Sequence, residues 1–182
     1  RETDKAMPDV TEKEKFLYDL QGFLVVKDVL TRSEITTLNA AFDANWDKRR
    51  DDPNTVPDGN TYGPIRRGLF DGMLTWEKPW CNPFRELLVH TRVIPYLDEM
   101  LGRGWKMDHS PFMLTGGKGT EGLRIHGATS RHFNGSQYYS YANGIMRCGM
   151  IVCQFQLADV QSGDGGLCVI PGSHKANYGC PD

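Results

Sequence analysis

The sequence predicts an α+β chain. A helical N-terminal part with one strand over residues 11–104 leads into a mainly β part over 105–182, built as an antiparallel sandwich or barrel. Three observations predict it. "TRSE" (31–34) has the spacing of a capping box, with Thr31 as N-cap and Glu34 three residues on, followed by apolar residues at helical spacing. The stretch 146–158 is β-like and largely apolar on both of its alternating faces, so it reads as a strand covered on two sides. Asp164-Gly165 favours a tight type I′ turn, which would pair 146–158 with 167–170 as antiparallel neighbours.

In chain order, "TEKEKFLYDLQG" (11–22) reads as a helix with an apolar stripe of Phe16, Leu17 and Leu20, stopped by Gly22. "FLVVKDV" (23–29) is rich in β-formers and reads as a strand. Leu38, Ala41, Phe42 and Trp46 then carry a second helix to about residue 48. Residues 50–64 are turn formers throughout, a long loop of the kind that often covers a binding site. Residues 82–102 read as one or two helices, interrupted at Pro95, with His90 inside the apolar pattern as a packing or surface residue. From 105 onward, "WKMDHSPFMLTGG", "GLRIHG", "IMRCGMIVCQFQLADV" and "GLCVIPG" are β-like segments parted by Gly, Asn and Asp. Met146, Cys148, Met150, Val152, Gln154 and Gln156 share one alternation of the long strand. Ile151, Cys153, Phe155 and Leu157 share the other. Buried amides need partners, so the face with Gln154 and Gln156 either lines a polar cavity or approaches the sheet edge.

At 182 residues the chain suits one domain. A net charge of −2 supplies no electrostatic reason to expect nucleic acid or an anionic membrane as partner. Apolar runs such as "FLVV" and "MIVC" are far too short to span a bilayer, and "RETDKAMPDV" has no apolar signal core. Five cysteines without a CxxC pair read as reduced thiols in a cytoplasmic protein. Cys148 and Cys153 fall on opposite faces of a strand and cannot jointly hold one zinc. The chain opens on Arg1 and stops at "NYGCPD", just after a turn, which reads as a piece of a longer frame.

The segment "LADVQSGDGGLCVIPGSHK" (157–175) resembles the phytanoyl-CoA dioxygenase family, a branch of the iron(II)/2-oxoglutarate oxygenases. "GFLVVKDVLTRSEITTLNAAF" is similar to the opening of the same family. In order and spacing the resemblance runs over roughly residues 15–178. It implies a double-stranded β-helix, a cupin-like jelly roll with the N-terminal helices packed outside and its last barrel strands missing from this chain. It implies Fe(II) and 2-oxoglutarate as cofactor and cosubstrate, and hydroxylation of a C–H bond in a small organic substrate.

The family's first iron-ligating histidine lies in an H-x-D/E pair on an early barrel strand. By position that histidine corresponds to His126, in "LRIHGATSRHFNG" (123–135). Imidazole suits Fe(II), and a strand holds a ligand rigidly. A histidine hydrogen-bonded in a barrel mouth is the plainer reading. The place of the acid is taken by Ala128, which cannot ligate or offset the iron's charge. The family's later "HG" histidine and its arginine lie beyond the chain. Some 2-oxoglutarate halogenases resemble this pattern, leaving the acid's place to a halide. Hydroxylation with a rearranged site, or a metal site altered or lost, ranks ahead of halogenation. A different class also remains: a cupin-like barrel that binds a small molecule without redox chemistry. Gln154 and Gln156 are the candidate cofactor-binding residues. His132 lies in a loop with Tyr138, Tyr139 and Tyr141, tyrosines that could cover a pocket. His109 reads as structural. His174, in the family-like "PGSH", reads as a hydrogen-bonding residue that fixes its loop rather than as a ligand.

Overall fold

Two Thr–Glu pairs start the first two helices. In the computed structural model, which describes residues 9–52, 67–120, 122, 125 and 135–178, α1 spans Glu12–Gln21 and α2 spans Arg32–Asp43. Thr11 and Thr31 each accept from the backbone N–H three residues on, at 3.2 Å. Glu14 and Glu34 accept in return from the backbone N–H groups of Thr11 and Thr31, at 2.8 and 2.6 Å. Each box therefore satisfies donors that an uncapped helix start would leave open. Gly22 ends α1 at φ 82°, its N–H bonded to the Tyr18 carbonyl at 2.7 Å.

Leu38, Ala41 and Phe42, one face of α2, are buried in the core. Phe42 meets Phe70, Trp76 and Phe84 at ring-centroid distances of 5.1, 5.8 and 5.0 Å, and Met73, Cys81 and Leu157 fill in around them. The helix does not run to residue 48. Asn45 is buried and turns its side-chain amide back to the Ala41 carbonyl at 2.8 Å, and a short 3₁₀ turn follows at Trp46–Lys48. Trp46 therefore leaves the helical stripe and is 56% exposed.

Among the described residues the strands pair antiparallel. β1 (Arg50–Asp51), β2 (Gly68–Phe70) and β3 (Met113–Thr115) form one small sheet in that order, with Leu69 opposite Arg50 on one side and Leu114 on the other. β4 (Tyr139–Ala142) and β5 (Ile145–Cys148) form a hairpin, with Tyr139 opposite Cys148. Its two-residue turn is Asn143-Gly144, with φ 54° and 78°, as type I′ requires. Among the described residues the two sheets do not close a barrel. No described helix is long and apolar enough to cross a membrane. Cys81, Cys148, Cys153 and Cys168 are free thiols.

Several expectations are corrected. The apolar stripe of α1 is only partly covered: Phe16 and Leu20 are 63% and 57% exposed, and Leu17 is half-buried. Polar contacts join the helix to its neighbour. Tyr96 donates to Glu14 at 2.6 Å and Lys15 lies 3.0 Å from Glu99, both partners being on α4 (Ile94–Leu101). Residues 23–29 are not a strand. Asp28 is left-handed at φ 57°, and the Arg92 guanidinium donates to the carbonyls of Lys27 and Asp28, a side chain standing where a neighbouring strand would be. Pro95 does not interrupt a helix. It sits in the first turn of α4, while α3 (Asn82–Leu87) has already ended, so His90 falls between the helices. The strand expected over 146–158 ends at Cys148, and 167–170 is not a strand. Asp164 closes a turn on its own backbone instead, accepting from the Gln161 N–H at 2.8 Å. Beyond Gly149 the chain is covered on one side only, with Phe155 half-buried and Leu157 buried, while Val152 is 76% exposed.

Candidate functional site

His126, Ala128 and His132 lie outside the described residues. Gln154 and Gln156 are both exposed, on the alternation opposite Phe155 and Leu157. The expected cover over the two glutamines is not present among the described residues.

The described histidines stand apart from one another. His109 is exposed, 3.0 Å from Asp108 and stacked on Phe112. His90 lies 3.6 Å from Glu34 and edge-on to Phe155. It borders a shallow pocket of about 230 Å³ between α2 and α3, lined also by Ser33, Thr37 and Glu86. The Thr31 hydroxyl and N–H, and then His90, hold the Glu34 carboxyl below its usual range.

A group of ionisable side chains gathers around His174. Residues 173–175 form a 3₁₀ turn after Gly172, which is left-handed at φ 80°. The Gly172 N–H donates to the Gln21 carbonyl at 2.9 Å, and His174 Nε2 lies 3.0 Å from the Asp19 carbonyl. The turn is thus docked on the last turn of α1, whose final carbonyls need donors. The Asp19 carboxylate accepts from the Tyr139 hydroxyl and pairs with Lys175 at 3.0 Å. Tyr139 stands edge-on to the His174 ring at 4.7 Å, and Tyr18 meets Cys148 Sγ at 3.3 Å. The Tyr139 bond and then Lys175 hold the Asp19 carboxyl below its usual range. Burial, and then the bond to Asp19, raises Tyr139 well above the ordinary phenol. Burial also raises Tyr18 and Cys148, and it lowers His174.

His174 therefore fixes its loop by hydrogen bonding, as its place in "PGSH" led us to expect. The rest of the cluster has no local signature, because Asp19 and Tyr139 meet across 120 residues of chain. Tyrosine enrichment over 138–141 was its one visible sign.

These residues do not form an iron site. Among the described residues no group of three or more His, Cys, Asp or Glu side chains could hold a metal ion. The one carboxylate beside His174 is already committed to Tyr139 and Lys175. Against known proteins, the model of the phytanoyl-CoA dioxygenase family matches residues 18–180. No curated protein and no solved structure matches the chain.

Proposed function

The chain belongs to the phytanoyl-CoA dioxygenase family, whose members use Fe(II) and 2-oxoglutarate, and on that footing we propose that it is an oxygenase-like protein acting on a C–H bond of a small organic substrate. The single observation that carries this reading is the family match over 18–180, which takes in both His126 and the 157–175 segment. When bound, iron and 2-oxoglutarate supply the oxidising power for hydroxylation. In this reading His126 is the iron ligand this chain offers, and Gln154 and Gln156, both exposed, are the amides available to the cosubstrate. The docked 172–175 turn, and the Asn39 side-chain amide that donates to the Leu157 carbonyl, hold the family segment against the helices.

A second reading is favoured by Ala128, which stands in the family's acid position. With a methyl group there, a binding barrel without redox chemistry becomes the rival, and a halogenase-like site the variant of the first reading. Anaerobic Co(II) titration separates them. Binding should be weak in the chain, lost in His126→Ala, and strengthened in Ala128→Asp by an added anionic oxygen. Succinate formation from 2-oxoglutarate should follow the same order. Metal binding that His126→Ala leaves unchanged would remove His126 from the site. Absence of binding in every variant would favour the non-redox barrel.

A further inference from the structure

His174 is a half-buried ionisable group that the oxygenase reading leaves without chemical work. Its Nε2 lies 3.0 Å from a backbone carbonyl, which can only accept, so Nε2 carries the proton and Nδ1 holds a lone pair. Nδ1 is buried and has no hydrogen-bond partner among the described residues. It lies against the backbone of Gly22, so closely that a Cβ there would sit 2.4 Å from it. The titratable and charged groups around the ring are Tyr18 and Asp19 from α1, Tyr139 from β4, Lys175 from its own turn, and Cys148 from β5 behind Tyr18. Lys175 is a like charge for an imidazolium, and the Asp19 carboxylate is engaged with Lys175 and Tyr139. The Asp19 carbonyl already holds the Nε2 proton.

We propose that His174 is an acid-released latch: as the neutral imidazole it ties the 172–175 turn to the end of α1, and a proton on Nδ1 frees that turn. The new N–H would be a buried donor without an acceptor on a newly charged ring, and moving the ring toward water relieves both costs. Outward movement of the ring breaks the bond to Asp19 and takes the turn with it.

The sign follows from burial. Burial lowers the His174 pKa from its ordinary 6.5, so folding favours the neutral form. The latch is at full strength above the unfolded value and is lost as pH falls through the folded one. Asp19 is held below 3.8, so its links to Tyr139 and Lys175 persist through that window. The latch stands apart from the oxygenase reading, because none of its residues is proposed to hold iron or cosubstrate.

Histidine NMR titration of the wild-type chain, with amide hydrogen-exchange protection factors followed from neutral pH to about pH 4.5, tests this. His174 should titrate below 6.5, with Nε2 protonated in the neutral form. The protection factor of the Gly172 amide should fall severalfold in step with it. The Ala44 amide, bonded within α2 to Ala40, should hold steady. In His174→Gln, which keeps a donor for the Asp19 carbonyl and does not titrate, Gly172 protection should be flat. Unchanged Gly172 protection in the wild type, an equal fall in His174→Gln, a parallel fall at Ala44, or His174 titrating at or above its ordinary value would each overturn the latch. The wild-type titration decides the matter even if the variant fails to fold.

Discussion

The side-chain amide of Asn39, on α2, donates to the backbone carbonyl of Leu157 at 2.9 Å, across 118 residues of chain. It secures the start of the family segment to the core helix just where Leu157 enters the core. Asn39→Ala should cost about 1–2 kcal/mol, by leaving a partly buried carbonyl without its donor. Asn39→Asp should cost more, because two acceptors would then face each other. Urea unfolding should show a lower midpoint at an unchanged slope. Midpoints equal to wild type for both variants would mean that the bond adds nothing to stability.

Thr31→Ala should destabilise the chain by about 1 kcal/mol at neutral pH, through loss of the α2 cap. Part of that gap depends on acid. Glu34 is held below 4.5, first by the Thr31 hydroxyl and then by its N–H. Its contribution is present above the unfolded pKa and is lost as pH falls through the folded one. Thermal melts at neutral pH and near about pH 3.5 should show the gap narrowing in acid. It should not vanish, because the Thr31 hydroxyl still accepts from the Glu34 N–H.

Gly22→Ala should cost at least about 1–2 kcal/mol, the strain of a left-handed residue with a Cβ. Contact with His174 Nδ1 adds to it, since the new Cβ would lie 2.4 Å away. In a His174→Ala background the added part should disappear, leaving a coupling of roughly 1 kcal/mol in the double-mutant cycle. Additive effects would show that the ring yields freely.

Asp52 and Arg67, just after β1 and just before β2, form an ion pair with side chains 3% and 11% exposed. Asp52→Ala should cost about 3–5 kcal/mol, because a guanidinium would be left buried without its charge partner. Arg67→Met should be similarly damaging, while the double change to apolar residues should recover much of the loss. Denaturant midpoints of the three variants test this. A double variant no better than either single one would show that the pair is needed for more than charge balance.

What the sequence determined by itself is what acts within about one turn of chain. The Thr31–Glu34 spacing sets the start of α2, Leu38, Ala41 and Phe42 mark its buried face, and Gly22 ends α1. The antiparallel β character and the family segment at 157–175 were also legible, since alternation and turn residues are local patterns. Choosing partners was the work of tertiary structure. Two dipeptides, Asn143-Gly144 and Asp164-Gly165, both suit a tight hairpin. Only the first is flanked by segments that pair, and Asp164 folds back on Gln161 instead. "FLVVKDV" has strand-forming residues but receives Arg92 rather than a neighbouring strand. The apolar residues of α1 do not show which neighbours the helix takes, because polar contacts join it to them. Tyr18, Asp19, Glu14 and Lys15 find partners brought from residues 96, 99, 139, 148 and 175. The His174 cluster arises the same way, from segments up to 155 residues apart. Local propensity offers several compatible pairings at little difference in free energy, and long-range burial and hydrogen bonding select among them.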